Sequence, residues 1–280
     1  MREITAEQIT RTVAELCVRA NTRLPEDLQC AVRRARGEER SPVGRAILGD
    51  LEENFTFAGE NGLPICQDTG LAVVFADWGQ ECCLTGGTLE EAVNAGVAKG
   101  YVEGKLRLSV VKDPLRRVNT GNNTPAVLHL RMVPGDKVSL TVAPKGAGSE
   151  NMSALRMFNP SAGREEVEDY IVSVTDQAGA NPCPPVVVGV GLGGSAELAS
   201  ILAKRALLRP VGQASPDPFY AEMEKSVLDK INALGIGPQG LGGTVTALGV
   251  AIEPWATHIA MLPCAVCFGC HVTRHACAEI

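Results

Sequence analysis

Apolar residues in the first fifth of the chain recur at helical spacing. Ile9, Val13, Leu16 and Cys17 fall on one face, and Thr5 precedes them as an N-cap with Gln8 as its capping-box partner. A second helix is expected after Pro25, where Glu26 and Asp27 sit favourably against the positive helix end. A third follows Ser41-Pro42 and carries Ala46, Ile47, Leu48 and Leu51 up to the polar GENG break. Residues 1 to about 58 therefore read as helical. From Leu63 the texture changes to short apolar runs, LAVVFADW, PAVLHLRMV, KVSLTVAP, PPVVVGVG and TALGVAI. These alternate with helix-like stretches at 88–99, 164–178, 195–208 and 217–233. The expected fold class is mixed α/β (α+β): N-terminal helices, then mixed sheets flanked by helices over about 59–280. No internal repeat or low-complexity linker interrupts it.

Composition sets the outer limits. With 280 residues, 45% hydrophobic and 21% charged, the chain can bury one large core or two modest ones, which excludes disorder and collagen. Lys and Arg number 26 against 32 Asp and Glu, a net charge of −6, so nucleic acid is not an expected partner. No run reaches the roughly 18 apolar residues that span a bilayer, and MREITAEQITRTVAEL lacks the blocks of a signal peptide. The expectation is a cytoplasmic protein without a membrane partner. Ten cysteines then need a reason, since cytosolic thiols stay reduced: they are metal ligands or small core residues. Cys17 and Cys30 lie at helical positions among apolar neighbours and read as packing.

Aromatics are scarce at 4%, while 30 Gly and 17 Pro direct attention to the turns. Six loops pair glycines with small polar groups: PICQDTG, NTGNNTPA, PKGAGSEN, NPCPPVVVGVGLGG, GIGPQGLGG and CFGCHVTRHA. Such loops suit carboxylate or phosphate ligands, and equally serve as tight strand-to-helix connections. Gly189 to Gly194 meets the dinucleotide pattern after a strand-like PPVVV, which would make the chain a nicotinamide-dependent dehydrogenase. Downstream, however, PVGQASPDPF replaces the second strand and its ribose-binding acid. Cys264, Cys267 and Cys270 form a C-x2-C-x2-C run close to His271 and His275. A ferredoxin run needs a fourth Cys at a spacing that Cys277 does not meet. Zinc held by Cys267, Cys270 and His275 would instead describe a zinc-stabilised interaction protein. A further reading takes cysteines from loops far apart, Cys66, Cys183 and Cys270, as three ligands of a [4Fe-4S] cluster with one open iron. Spacing alone does not choose among these.

The ordered set PICQDTG, NTG-x-NTPA, KGAGSEN, CPPVVVGVGLGG, IGPQGLGG and CH-x-x-RHA resembles the α subunit, or N-terminal domain, of the class I iron-sulfur fumarate hydratase and L-tartrate dehydratase family. The resemblance covers essentially the whole chain and treats residues 1–280 as one cluster-bearing α-subunit domain. It implies a [4Fe-4S] hydro-lyase acting on a small dicarboxylic acid, either hydrating fumarate to malate or dehydrating a relative such as L-tartrate. Cys66, Cys183 and Cys270 match the family's cluster ligands, Gln67 and Arg107 match substrate-binding positions, and Asp68 matches the acid/base. These roles make chemical sense: a guanidinium grips a carboxylate, an amide orients without charge, and a carboxylate near the cluster can move a proton.

Two positions depart from the family pattern. Asn122 stands where the family commonly has aspartate, and Cys267 where it commonly has asparagine, which creates the C-x2-C-x2-C run. The family's second domain is fused or made separately, and this chain stops at Ile280 just after the RHA motif. The expected partner is therefore a separate β subunit, in a dimer of heterodimers.

Overall fold

The computed structural model describes residues Met1–Ile280. In chain order the elements are β1 (Arg2–Thr5), α1 (Ala6–Thr22), α2 (Glu26–Glu38), α3 (Pro42–Asn61), β2 (Leu71–Gly79), β3 (Cys82–Thr85), α4 (Leu89–Glu103), β4 (Val127–Val133), β5 (Val138–Lys145) and α5 (Ala147–Glu150). They continue with β6 (Ala154–Phe158), α6 (Arg164–Ala178), β7 (Val186–Gly193), α7 (Ala196–Ala206), α8 (Pro218–Ala233), β8 (Ala247–Trp255), β9 (Leu262–Gly269) and β10 (Ala276–Glu279). The chain divides into two units. The first is Met1–Pro25, Phe55–Ala147 and Arg274–Ile280; the second is Glu26–Asn54 and Gly148–Thr273. The mixed α/β class expected from the hydrophobic pattern is what forms. No helix is long and apolar enough to cross a membrane.

In the first unit the capping box read at Thr5 forms: its hydroxyl accepts from Gln8 N at 3.1 Å, and Gln8 Oε1 accepts from Thr5 N at 2.8 Å. The residues before it are extended rather than helical, β1 pairing in parallel with β3. A four-stranded sheet has the order β10-β5-β2-β4, with β5 antiparallel to β10 and β2, and β4 parallel to β2. Strand β5 alternates buried and half-buried residues, the period of a sheet with one covered face. Its buried Val138, Leu140 and Val142 join Ala72, Val74, Ala76 and Trp78 of β2 under Ile9, Val13, Leu16 and Cys17 of α1. Helix α4 adds Val93, Val97 and Tyr101 to this core.

The second unit is built on a sheet of order β6-β9-β7-β8, in which only β7 and β8 run parallel. Strand β7 separates its faces cleanly. Val186, Val188 and Val190 pack with Val167, Ile171 and Val174 of α6 and Met223, Val227 and Ile231 of α8. The opposite face presents Gly189 and Gly191, where α7 crosses. A Cβ on Gly191 would lie 1.9 Å from Ala199 O, so the glycine is what lets helix and strand backbones approach. The GVGLGG spacing is thus accounted for by packing, with no nucleotide needed.

Glu39, just past α2, is buried and receives Ser41 N at 2.8 Å, Thr244 N at 2.9 Å on both oxygens, Thr244 Oγ1 at 3.1 Å and Val245 N at 2.8 Å. Desolvation pushes its carboxyl pKa up, and these donors outweigh it, holding the group below the ordinary carboxylate value. A lowered folded-state pKa gives stability that is present at neutral pH and lost as pH falls through that pKa. Glu39→Gln leaves buried donors facing an amide, and should destabilise the chain by about 3 kcal/mol in urea unfolding at pH 7. The deficit relative to wild type should shrink on acidification; a pH-independent deficit would contradict this role.

Candidate functional site

Five of the six candidate residues lie in glycine- and proline-rich loops, as expected, and each unit organises its own share. In the first unit the loop between α3 and β2 carries Cys66, Gln67 and Asp68. Cys66 and Asp68 are half-buried and Gln67 is exposed. The loop folds back on itself: Asp68 N donates to Cys66 Sγ at 3.4 Å, and Gly70 N donates to Asp68 Oδ1 at 3.0 Å. The second carboxylate oxygen, Oδ2, accepts Ala147 N at 2.8 Å from the PKGAGSEN loop. Two backbone N–H groups therefore fix the direction of the Asp68 carboxylate. Gly70 has φ +73°, and a Cβ there would sit 2.7 Å from the Lys145 carbonyl, so the tight turn into β2 requires glycine. Cys66 Sγ lies 3.4 Å from Gln67 Oε1.

Arg107 belongs to the same unit. Its side chain is exposed and makes no ion pair or hydrogen bond within the protein, while its carbonyl accepts Thr69 Oγ1 at 3.1 Å. The unit thus brings Cys66, Gln67, Asp68 and Arg107 onto one connected stretch of loops: a thiol, an amide, an oriented carboxylate and an unpaired guanidinium.

The second unit holds Cys183 and Cys270. Cys183 is exposed at φ 56°, a left-handed conformation. Its carbonyl accepts His271 N at 3.3 Å and lies 3.0 Å from His271 Nδ1, so the two cysteine loops are adjacent. Gln239, from GIGPQGLGG, donates through N and Nε2 to Pro184 O at 2.7 and 2.8 Å, and its Nε2 lies 3.1 Å from His271 Nδ1. Half-buried Cys270 accepts Val272 N on its sulfur at 3.4 Å. Cys66 and Cys270 therefore share one local device, a backbone N–H two residues ahead donating to Sγ.

The dense C-terminal cysteine run resolves differently. Cys264 and Cys267 are both in β9, three residues apart, so they project from opposite faces. Cys264 is in the core, where burial pushes its thiol up to about 12, as it does for Cys17. Cys267 Sγ donates to Glu150 Oε2 at 3.7 Å and accepts Ser153 Oγ at 3.4 Å. These two cannot share a metal, which removes the ferredoxin spacing as an explanation. No group of three or more His, Cys, Asp or Glu side chains converges as a ready metal site. At the other departure, Asn122 Oδ1 accepts Thr124 N at 3.2 Å and Thr124 Oγ1 at 2.8 Å. An amide oxygen makes the turn contacts a carboxylate would make, so the exchange removes a charge and keeps the turn.

Sequence reasoning passes over Tyr101, Asn123, Gln239 and Arg274, which stand against these loops. Asn123, Gln239 and Arg274 stand inside the glycine-rich and RHA motifs; Tyr101, within an ordinary helix, carries no signal.

The chain matches the family described as fumarate hydratase (Fumerase) over residues 10–279. A relative in Methanocaldococcus jannaschii, provisionally named L(+)-tartrate dehydratase subunit alpha, is 40% identical over 279 residues, covering 98% of both chains. The L(+)-tartrate dehydratase subunit alpha of Escherichia coli UTI89 is 34% identical over 271 residues, covering 95% of this chain and 89% of that one. The K12 counterpart is 33% identical over the same length.

Proposed function

The chain belongs to the fumarate hydratase family and is a hydro-lyase, and from this premise we propose that it is the cluster-bearing α subunit of an enzyme that interconverts fumarate and malate. Cys66, Cys183 and Cys270 would hold a [4Fe-4S] cluster. The observation that carries this is the pair of N–H···S bonds at Cys66 and Cys270, both 3.4 Å, which orient two reachable sulfurs on their loops by the same local device. The donor set also fits in exposure: these three thiols are reachable, whereas Cys17 and Cys264 are sealed in cores. When bound, the cluster supplies an iron without a protein ligand, a Lewis acid for a hydroxyl and a carboxylate.

The remaining roles fall to side chains. Arg107 offers its unpaired guanidinium to a substrate carboxylate, a bidentate grip that fixes the carbon skeleton. Gln67 orients a polar substrate oxygen without adding charge. Asp68 moves the proton, because its carboxylate is held by Gly70 N and Ala147 N and cannot swing away. A separate β subunit completes the site, in keeping with the subunit names of the relatives. Those names also favour a second substrate reading, L(+)-tartrate, which differs by one hydroxyl that pocket contacts must recognise.

An anaerobic activity panel tests this: fumarate, L-malate and the tartrate isomers, with the chain alone and with its partner subunit. Turnover of fumarate or malate by the pair, and little by the chain alone, is expected. Full turnover without a partner would overturn the two-subunit reading. Turnover of tartrate only would select the second substrate, and no turnover by a cluster-loaded pair would overturn both.

A further inference from the structure

Behind the Asp68 loop, three successive backbone carbonyls point inward and each meets a buried donor. Arg274 donates a guanidinium N–H to Asp68 O. Tyr101, fully buried, shares its one hydroxyl proton between Thr69 O at 2.8 Å and Gly70 O at 3.1 Å. Asn123, also fully buried, donates Nδ2 to Gly70 O at 3.0 Å. Burial pushes the Tyr101 phenol above its ordinary pKa, so it stays a neutral donor. The three donors come from α4, from the NTGNNTPA loop and from the RHA motif, all in the first unit.

Asn123 does more than donate. Its Oδ1 accepts Ser109 N at 2.7 Å and Val110 N at 3.2 Å, in the segment that follows Arg107. A single amide therefore ties the Asp68 loop to the Arg107 segment, and the Thr69 Oγ1 bond to Arg107 O at 3.1 Å closes the link. An amide is what the geometry requires, since one end must donate and the other must accept twice. The residue also sits at φ 61°, a left-handed conformation that asparagine tolerates.

We propose that Asn123 is a positioning residue for the hydro-lyase reaction, which holds the Asp68 carboxylate and the Arg107 guanidinium at a fixed spacing through its bonds to Gly70, Ser109 and Val110, with Tyr101 supporting the same loop. This rests on the reading of Asp68 as acid/base and Arg107 as carboxylate grip. The contacts reach both groups through backbone, so displacing the loop by about 1 Å is enough to lower the rate about a hundredfold.

Asn123→Asp tests it while changing the fewest atoms. The carboxylate accepts from Ser109 and Val110 as before and tolerates the backbone conformation, but it faces Gly70 O without a proton to donate, as a charge in a fully buried site. In the cluster-loaded pair, assayed well below the variant's own Tm, kcat per cluster should fall about a hundredfold and KM should rise, while the buried charge lowers Tm by several degrees. In the chain alone, amide exchange across residues 66–72 should accelerate while the segments outside the first unit are unchanged. Tyr101→Phe should give the same signature more weakly, about tenfold in kcat, and decides the matter if Asn123→Asp does not fold. Asp68→Asn runs beside them: wild-type kcat there would overturn the acid/base reading itself. Loss in Asp68→Asn, with wild-type kcat, KM and exchange in the Asn123 and Tyr101 variants, would overturn the positioning role alone.

Discussion

Serine in place of Cys66, Cys183 or Cys270, each alone, is expected to abolish the broad visible absorption of the anaerobically reconstituted chain. The effect should be large because the cluster would lose one of only three protein ligands. Serine at Cys277, which is exposed on the last strand, should leave the spectrum intact. Serine at Cys264 puts a hydroxyl into the core of the second unit, so it should lower stability by roughly 1–3 kcal/mol and keep the colour. The comparison is anaerobic absorption at equal protein, followed by bleaching in air. A variant at Cys66, Cys183 or Cys270 that retains wild-type absorption would remove that residue from the ligand set.

Asp68→Asn should lower kcat of the loaded pair by about 10²–10⁴ with cluster content unchanged. The asparagine oxygen can keep one of the two N–H bonds, from Gly70 or Ala147, so the loop stays in place while the side chain loses its ability to take a proton. Steady-state kinetics normalised to absorbance reads the two effects apart. If the cluster is lost along with activity, the Asp68 carboxylate instead supports the Cys66 loop, through the N–H groups of Gly70 and Ala147. Unchanged kcat at full cluster content would assign the proton transfer elsewhere.

The elements that depend on period are legible in the order of residues. The Thr5 capping box and the helix beginning at Arg164 follow directly from spacing, because side-chain burial imposes the period on the sequence, and the strand at Leu71 follows from its apolar run. Strand β9 is not legible in this way. LPCAVCFG is buried along nearly its whole length, as the strand at Leu71 is, but its cysteines and following glycine resemble a ligand loop. The same strand explains the misleading density of cysteines: a period of two turns Cys264 and Cys267 apart, which residue spacing on paper does not convey. The GVGLGG run carries a packing requirement, the approach of α7 to β7, in the same letters as a nucleotide loop.

The candidate site is legible in its reactive groups and not in their support. Cys66, Asp68, Cys183 and Cys270 stand in glycine and proline loops, where side chains are reachable, but the loops alone do not pick the three thiols out of ten cysteines; only the family resemblance does. Tyr101 and Arg274 act through backbone carbonyls of residues far away in sequence, and nothing local marks a tyrosine in a helix as the donor to Thr69 O and Gly70 O. Asn123 is intermediate: its motif draws attention, but only the fold reveals that its amide joins two loops.

The central claim is that this chain carries an iron-sulfur cluster on Cys66, Cys183 and Cys270. Iron and acid-labile sulfide content of the anaerobically reconstituted chain tests it most directly. About four of each per chain, in a brown protein that bleaches in air, is the predicted result; a colourless, air-stable protein with stoichiometric zinc and no sulfide would contradict it.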